Sequence, residues 1–221
     1  MLNFLNRFIQ KCLKKKHKPK SFREIDPVIH DVFKKNGYGV YLANIKVASG
    51  ASFVGKAIAK FSGNFVHSIL IFYVENIKNY FDTPAIEKIN TNLSQYYQSF
   101  SGSAESIPIL IIGSADEIGI NCCSFSNYQR RDFTLRKLPT TELKIKFIGN
   151  EIVKTLGDPY DATGLFGFLF NKILDDKKTH YCSELCYDAC MRAGIKISDV
   201  ENPSPYDIEK YNKYQIVYKS F

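Results

Sequence analysis

The sequence contains no long apolar run, no export signal and no motif typical of a zinc or nucleotide site. A membrane-spanning helix needs about 18 apolar residues in succession, and no stretch of the chain reaches that length. An export signal begins with basic residues and continues with an unbroken apolar core, whereas residues 1–20 have the reverse order. These absences predict a cytoplasmic location, in a bacterium or in a host cell, and an activity that needs no cofactor.

Acidic residues are fewer than basic residues, 22 against 30, which gives a net charge of +8 at pH 7. Much of the excess lies in residues 11–20, a lysine-rich segment that follows apolar residues at helical spacing. We interpret residues 1–20 as a basic amphipathic extension, which either attaches peripherally to an anionic membrane surface or docks on the body of the protein. Lysines without interleaved aromatic residues predict no specific nucleic-acid binding.

Residues 21–221 are long enough for one domain with a sizeable core, and a hydrophobic content of 45% is typical of globular chains. Alternating or continuous apolar patterns predict strands at residues 38–48, 65–74, 107–114, 117–125, 133–139 and 215–221. Periodic patterns with caps predict helices at residues 26–37, 52–63, 140–157 and 180–193, and a partly helical segment within 80–106. This order predicts an α+β fold in which helices pack against a mostly antiparallel sheet.

Three of the six cysteines, Cys182, Cys186 and Cys190, are spaced four residues apart within the last of these helices. Three thiols on one helix face cannot close around a metal ion, and a disulfide between neighbours would strain the helix. Cys186 and Cys190 belong to an apolar stripe, which predicts core positions. Cys182 lies in the first turn, where free N–H groups and the helix dipole favour a thiolate, so it is the candidate nucleophile.

A catalytic thiol needs a histidine partner, and the chain has four histidines. His17 belongs to the basic extension and His30 to the first helix, so neither is expected near Cys182. His180 is a neighbour in sequence, without a reason to face the sulfur. His67 opens a strongly apolar strand, where a histidine is uncommon unless its ring has a partner. His67 is therefore either the catalytic base or a hydrogen-bonded core histidine.

Four segments together resemble the permuted papain-like amidases of the YiiX and YaeF type, circularly permuted relatives of the NlpC-type cell-wall hydrolases. The segments are "GVYLANIKVASGASFVGKAIAKFSGNFVHSILIF", "LGDPYDATGLFGFLF", "YCSELCYDACMRAGI" and "PSPYDIEKYNKYQIVY". Their order, with the histidine strand before the cysteine helix, is the order of that family. The resemblance spans roughly residues 37–218 and implies a circularly permuted papain-like fold.

The resemblance implies roles for three residues. The family's nucleophile falls on Cys182 and its base on His67, while Tyr160 of "GDPYD" matches a tyrosine whose hydroxyl helps to bind a developing oxyanion. A buried aromatic with a satisfied hydroxyl is the alternative for Tyr160. The family usually adds an acidic residue on the strand after the histidine strand, and its position here stays open between Gly113, where the acid is missing, and the nearby acids Asp82, Asp116 and Glu117.

The implied reaction is hydrolysis of an amide in a peptide, a cell-wall fragment or a lipid-linked molecule, through an acyl-enzyme on sulfur. Two alternatives remain open at this stage. The first is a thioesterase or acyltransferase that acts on lipid at a membrane surface, as in the related lecithin:retinol acyltransferase group. The second is a non-catalytic binding module that retains the fold, which the missing acid favours.

Overall fold

The computed structural model describes residues 20–48, 64–97, 100–116, 119–161 and 181–221. The predicted extension therefore lies outside the described residues except for its last lysine, and so does the helix predicted at residues 52–63. Within these ranges, no helix has the length and apolarity to cross a membrane.

The described residues contain six strands and five α-helices. The strands are β1 (Gly39–Lys46), β2 (Phe65–Tyr73), β3 (Leu110–Asp116), β4 (Gly119–Ser124), β5 (Phe133–Lys137) and β6 (Ile216–Lys219). The helices are α1 (Pro27–Asn36), α2 (Thr83–Tyr96), α3 (Glu142–Thr155), α4 (Cys182–Arg192) and α5 (Pro205–Lys210). Each predicted strand is confirmed, and so are the predicted helices that fall within the described ranges.

The six strands form one sheet in the order β4-β3-β2-β1-β5-β6, and every pair of neighbours is antiparallel. The α+β class with an antiparallel sheet is thereby confirmed. β2 lies near the middle of the sheet, and apart from Val66 its residues are all buried. An interior strand without exposed residues explains the continuous apolar pattern that the sequence shows there.

Helix α1 covers one face of the sheet through an aromatic cluster. The ring of Phe33 packs edge-on against Tyr41 of β1 at 4.8 Å and also contacts Tyr73 of β2. The helix begins after Asp26, whose side chain accepts a hydrogen bond from the N–H of Val28. Side chains alternate along a strand, so the residues of β2 on this face are those at odd positions.

Helices α3, α4 and α5 cover the opposite face of the sheet. Gly149 of α3 allows close packing, because a Cβ at that position would overlap the ring of Phe81 and would already contact Phe72 of β2. Helix α3 begins at the predicted cap, where the hydroxyl of Thr141 accepts from the N–H of Lys144.

Strands β2 and β3 are paired only at one end. Ile71 pairs with Ile111 and Phe72 with Leu110, and no further pairs follow towards the start of β2. At Gly113 a bulge shifts the register of β3 against β4, with a φ of 80° that suits glycine. The resulting gap between the two strands leaves backbone groups of β2 without a strand partner, and α4 lies beside it.

Candidate active site

The cysteine stripe of α4 lies along the unpaired side of β2. The sulfur of Cys182 receives the backbone N–H of Ser68 and lies 4.0 Å from the carbonyl oxygen of Val66, while the sulfur of Cys186 receives the N–H of Leu70. Four residues of helix advance about 6 Å and two residues of strand about 6.6 Å, so the two spacings match. The sulfurs of Cys182 and Cys186 thereby accept hydrogen bonds from backbone N–H groups of β2 that have no partner on β3.

Burial raises the pKa of Cys182 to about 11. Three backbone N–H groups, those of Ser68, Ser183 and Cys182 itself, act in the opposite direction. The N–H groups at the helix start thus favour a thiolate, as predicted, but desolvation in the core outweighs them. In the free protein the thiol is therefore protonated at neutral pH.

The ring of His67 has a defined hydrogen-bonding environment. Its Nε2 lies 3.1 Å from the hydroxyl of Tyr128 and 3.4 Å from that of Ser114, and these two hydroxyls lie 2.9 Å from each other. Burial lowers the pKa of His67 to about 3, with smaller contributions from the charges of Arg131 and Lys20. The imidazole is therefore neutral at neutral pH.

The structure brings the start of α4 to β2 at the position of His67. The sulfur of Cys182 contacts the backbone of Val66 and Ser68, the two residues that flank the histidine. The His67 ring points to the face that carries α1, and none of the hydrogen bonds among the described residues joins it to the sulfur. Because the pKa of the thiol lies above that of the imidazole, both groups are neutral together.

Two of the positions considered for the acidic residue are explained by other roles. Gly113 is the bulge residue, and a side chain there would overlap Ile152 of α3 instead of pointing towards His67. The carboxylate of Asp82 caps α2 by accepting from the N–H of Ala85 at 2.9 Å, so its proposed role as histidine orienter is wrong. The side chains of Asp116 and Glu117 lie outside the described residues.

Sequence reasoning missed Ser114 and Tyr128, the residues that hold the His67 ring. One signal was present, because a glycine inside a strand pattern indicates a bulge, and a bulge changes the direction of the next side chain. Ser114 follows Gly113 directly. Tyr128 lies after a 3₁₀ helix at residues 125–127 and has no comparable signal in sequence.

Tyr160 lies partly buried against the hydrophobic core, just after the segment that contacts the start of β4. Oxyanion binding by its hydroxyl stays a prediction. His180 lies outside the described residues.

The first turn of α4 is more buried than its amphipathic pattern predicts. Ser183 and Glu184 lie outside the apolar cysteine stripe in sequence, yet both are buried. The carboxylate of Glu184 turns back and accepts from the N–H of Tyr181 at 3.3 Å, which forms a capping box. This hydrogen bond explains how the charged side chain of Glu184 can be accommodated on a buried side of the helix. Cys186 and Cys190 are in the core, as predicted.

The cysteines in the described part of the chain are free thiols, and these residues include no cluster of three or more side chains suited to a metal ion. In comparisons with known proteins, no family model and no curated protein matches the chain. The chemistry of the site must therefore be argued from its own residues.

Proposed function

We propose that the protein is a cysteine hydrolase that cleaves an amide bond through an acyl-enzyme, with Cys182 as the nucleophile and His67 as the base. The observation that carries this proposal is the position of the Cys182 sulfur. It lies at the start of a helix, faces three backbone N–H groups and contacts the backbone on both sides of the histidine. The order of these elements and the antiparallel sheet support a circularly permuted papain-like fold.

The hydrogen bonds of His67 are consistent with the role of a base. Tyr128 and Ser114 occupy Nε2, and Nδ1 has no hydrogen-bond partner among the described residues. If Nε2 carries the hydrogen and donates it to a hydroxyl, Nδ1 presents a lone pair that can accept a proton. Two hydroxyls would then replace the acidic residue that usually orients such a ring, at the expense of a weaker stabilisation of the imidazolium.

The reaction we propose starts from a neutral pair. The thiol proton moves to Nδ1 of His67 as the sulfur attacks the carbonyl carbon, and the carbonyl oxygen becomes an oxyanion that backbone N–H groups and Tyr160 would bind. The imidazolium then protonates the leaving amine as the carbon–nitrogen bond breaks. Water, deprotonated by the same nitrogen, hydrolyses the thioester and restores the thiol.

The substrate of this reaction is an amide in a peptide, a cell-wall fragment or a lipid-linked molecule. Transfer of an acyl group from a lipid ester or thioester by the same sulfur is an alternative within the same mechanism. The lysine-rich segment 11–20 supports contact with an anionic membrane surface, which would suit a lipid-linked substrate.

A second candidate function is a non-catalytic binding module, and two observations favour it. The pKa values of Cys182 and His67 disfavour a preformed ion pair. In addition, Cys182 accepts a β2 N–H in the same way as Cys186, whose position is structural.

A covalent acyl probe separates the two functions. We expect a biotinylated peptidyl acyloxymethyl ketone to label the wild-type chain and Cys186→Ala, but not Cys182→Ala. His67→Gln should label much more slowly, since the thiol would lack its base. Absence of labelling in the wild type, or equal labelling of the wild type and His67→Gln, would exclude the hydrolase and leave the binding module.

A further inference from the structure

A buried polar chain runs across the sheet on the face opposite to His67. The hydroxyl of Ser68 on β2 donates to Oδ1 of Asn44 on β1 at 2.7 Å, and Nδ2 of Asn44 donates to Oε2 of Glu209 on α5 at 2.9 Å. The same oxygen of Glu209 accepts from Thr134 at 2.6 Å and from Arg136 at 2.5 Å, both on β5. Three elements of the fold, β1, β5 and α5, thus meet at one carboxylate, and β2 is linked to it through Asn44.

This arrangement is costly for a structural purpose alone. Arg136 is 3% exposed, its Nε is buried without a hydrogen-bond partner, and its ion pair with Glu209 is largely removed from water. Burial raises the pKa of Glu209, but the hydrogen bonds from Arg136 and Thr134 outweigh burial and the pKa is lowered overall. A buried ion pair is often no more stabilising than apolar side chains of the same volume, so its presence calls for a further role.

The polar chain ends at the residue whose backbone faces the candidate nucleophile. Ser68 and Asn44 are direct partners in the β1–β2 ladder, and the N–H of Ser68 points to the opposite edge of β2, towards the sulfur of Cys182. At this level β3 has left β2, since its pairs with β2 are at Ile71 and Phe72. This part of β2 is therefore held on its β1 side only, by the backbone ladder and by the side-chain link between Ser68 and Asn44.

We propose that Ser68, Asn44 and Glu209 are positioning residues that hold the backbone N–H of Ser68 against the sulfur of Cys182. The catalytic meaning of this inference rests on the proposed function. When the sulfur attacks and carries negative charge, the backbone N–H of Ser68 stabilises that charge only if β2 holds it in position. If β2 could shift, the N–H would move away from the sulfur. The ion pair with Arg136 fixes the carboxylate, which in turn fixes the amide of Asn44.

The test measures the thiol directly and needs no turnover. Alkylation of the full chain by iodoacetamide is followed between pH 7 and pH 11.5, and the Cys182 peptide is quantified by mass spectrometry. Ser68→Ala and Asn44→Leu should raise the apparent pKa of Cys182 by about one unit, which slows alkylation at a fixed pH by roughly tenfold. Two titratable groups interact with this sulfur, Tyr181 just before α4 and Cys186 one turn along it, while the ring of His67 points to the other face of β2.

Two controls distinguish positioning from a general loss of packing. Thr134→Val removes a donor to the same carboxylate without touching the link between Ser68 and Asn44, and it should leave the Cys182 profile unchanged. Ser68→Thr keeps the hydroxyl and should therefore show the wild-type pH profile of Cys182 alkylation. If Asn44→Leu does not fold, Ser68→Ala, which removes one oxygen atom, gives the result alone.

The charge of Glu209 provides a third test, because its loss and the loss of positioning shift the pKa of Cys182 in opposite directions. Loss of the negative charge in Glu209→Gln would by itself lower the pKa of Cys182, whereas loss of positioning raises it. A lowered pKa in Glu209→Gln, or an unchanged profile in Ser68→Ala, would overturn the inference. The proposed function is tested separately, because a wild-type chain that fails to react with the acyl probe can still show the shifted alkylation profile.

Discussion

Protonation of His67 should destabilise the folded protein in mild acid. Burial lowers the pKa of this ring to about 3, while an unfolded chain has a histidine pKa near 6.5. Between these two values the unfolded chain binds one proton that the folded chain does not. The free energy of unfolding therefore falls as the pH falls, and this contribution is fully present only above pH 6.5.

The size of the effect follows from the two pKa values. Each pH unit below 6.5 removes about 1.4 kcal/mol, which amounts to about 2 kcal/mol at pH 5 relative to pH 7.5. The loss continues until the pH reaches the folded pKa of about 3. A loss of 2 kcal/mol is a substantial part of the roughly 5 to 15 kcal/mol that stabilises a typical domain.

Urea unfolding of the wild type, His67→Gln and His30→Gln at pH 7.5 and pH 5.0 measures this contribution. Glutamine cannot be protonated, so His67→Gln should lose about 2 kcal/mol less than the wild type between the two pH values. His30 is only half-buried on α1, so His30→Gln is the control for loss of a histidine outside the core. An equal loss in the wild type and His67→Gln would refute the assignment of a buried neutral imidazole, whatever the absolute stabilities are.

Three further predictions concern other parts of the fold. At pH 9 iodoacetamide should alkylate Cys182 faster than Cys186, because burial raises the pKa of Cys186 well above its ordinary value while three N–H groups oppose burial at Cys182. Equal rates would contradict the role of the N–H groups at the helix start. Gly113→Ala should lower the free energy of unfolding in urea by about 2 to 4 kcal/mol, because the new methyl group overlaps α3 and the positive φ is strained. Gly157→Ala has the same strain but open space around it, so it should lower the free energy of unfolding by only about 1 to 2 kcal/mol. Similar losses would show that the overlap at Gly113 relaxes. Asp82→Ala should cost about 1 kcal/mol as a lost helix cap and leave the Cys182 alkylation profile unchanged; a changed profile would return Asp82 to the site.

The strands and most helices were predictable because their signals are local. The apolar pattern at residues 65–74 and the capped helix that begins after Thr141 correspond closely to β2 and α3. A strand buried on both faces gives a continuous apolar run in the sequence, and a helix buried along one stripe gives apolar residues at helical spacing. The core positions of Cys186 and Cys190 followed from helical periodicity for the same reason.

The candidate site was predictable only in part. Helix geometry indicated Cys182, the family resemblance indicated His67 as its base, and the structure places α4 against the strand of that histidine. The partners of the ring were not predictable, because Ser114 reaches it through a bulge and Tyr128 through a turn from a distant part of the chain. His67 is 47 residues from Ser114 and 61 residues from Tyr128, and contacts over such separations leave no periodic pattern in the sequence.

The sequence by itself determined the α+β class, the order of the elements and the placement of a cysteine in the first turn of a helix, since each depends on neighbours within a few residues. Only the tertiary structure decided the charge state of the two candidate catalytic groups. The helix start favours a thiolate, but α4 packs on the sheet beside the gap between β2 and β3, and the loss of water there has the larger effect. Desolvation depends on how distant segments pack, and no local pattern records it.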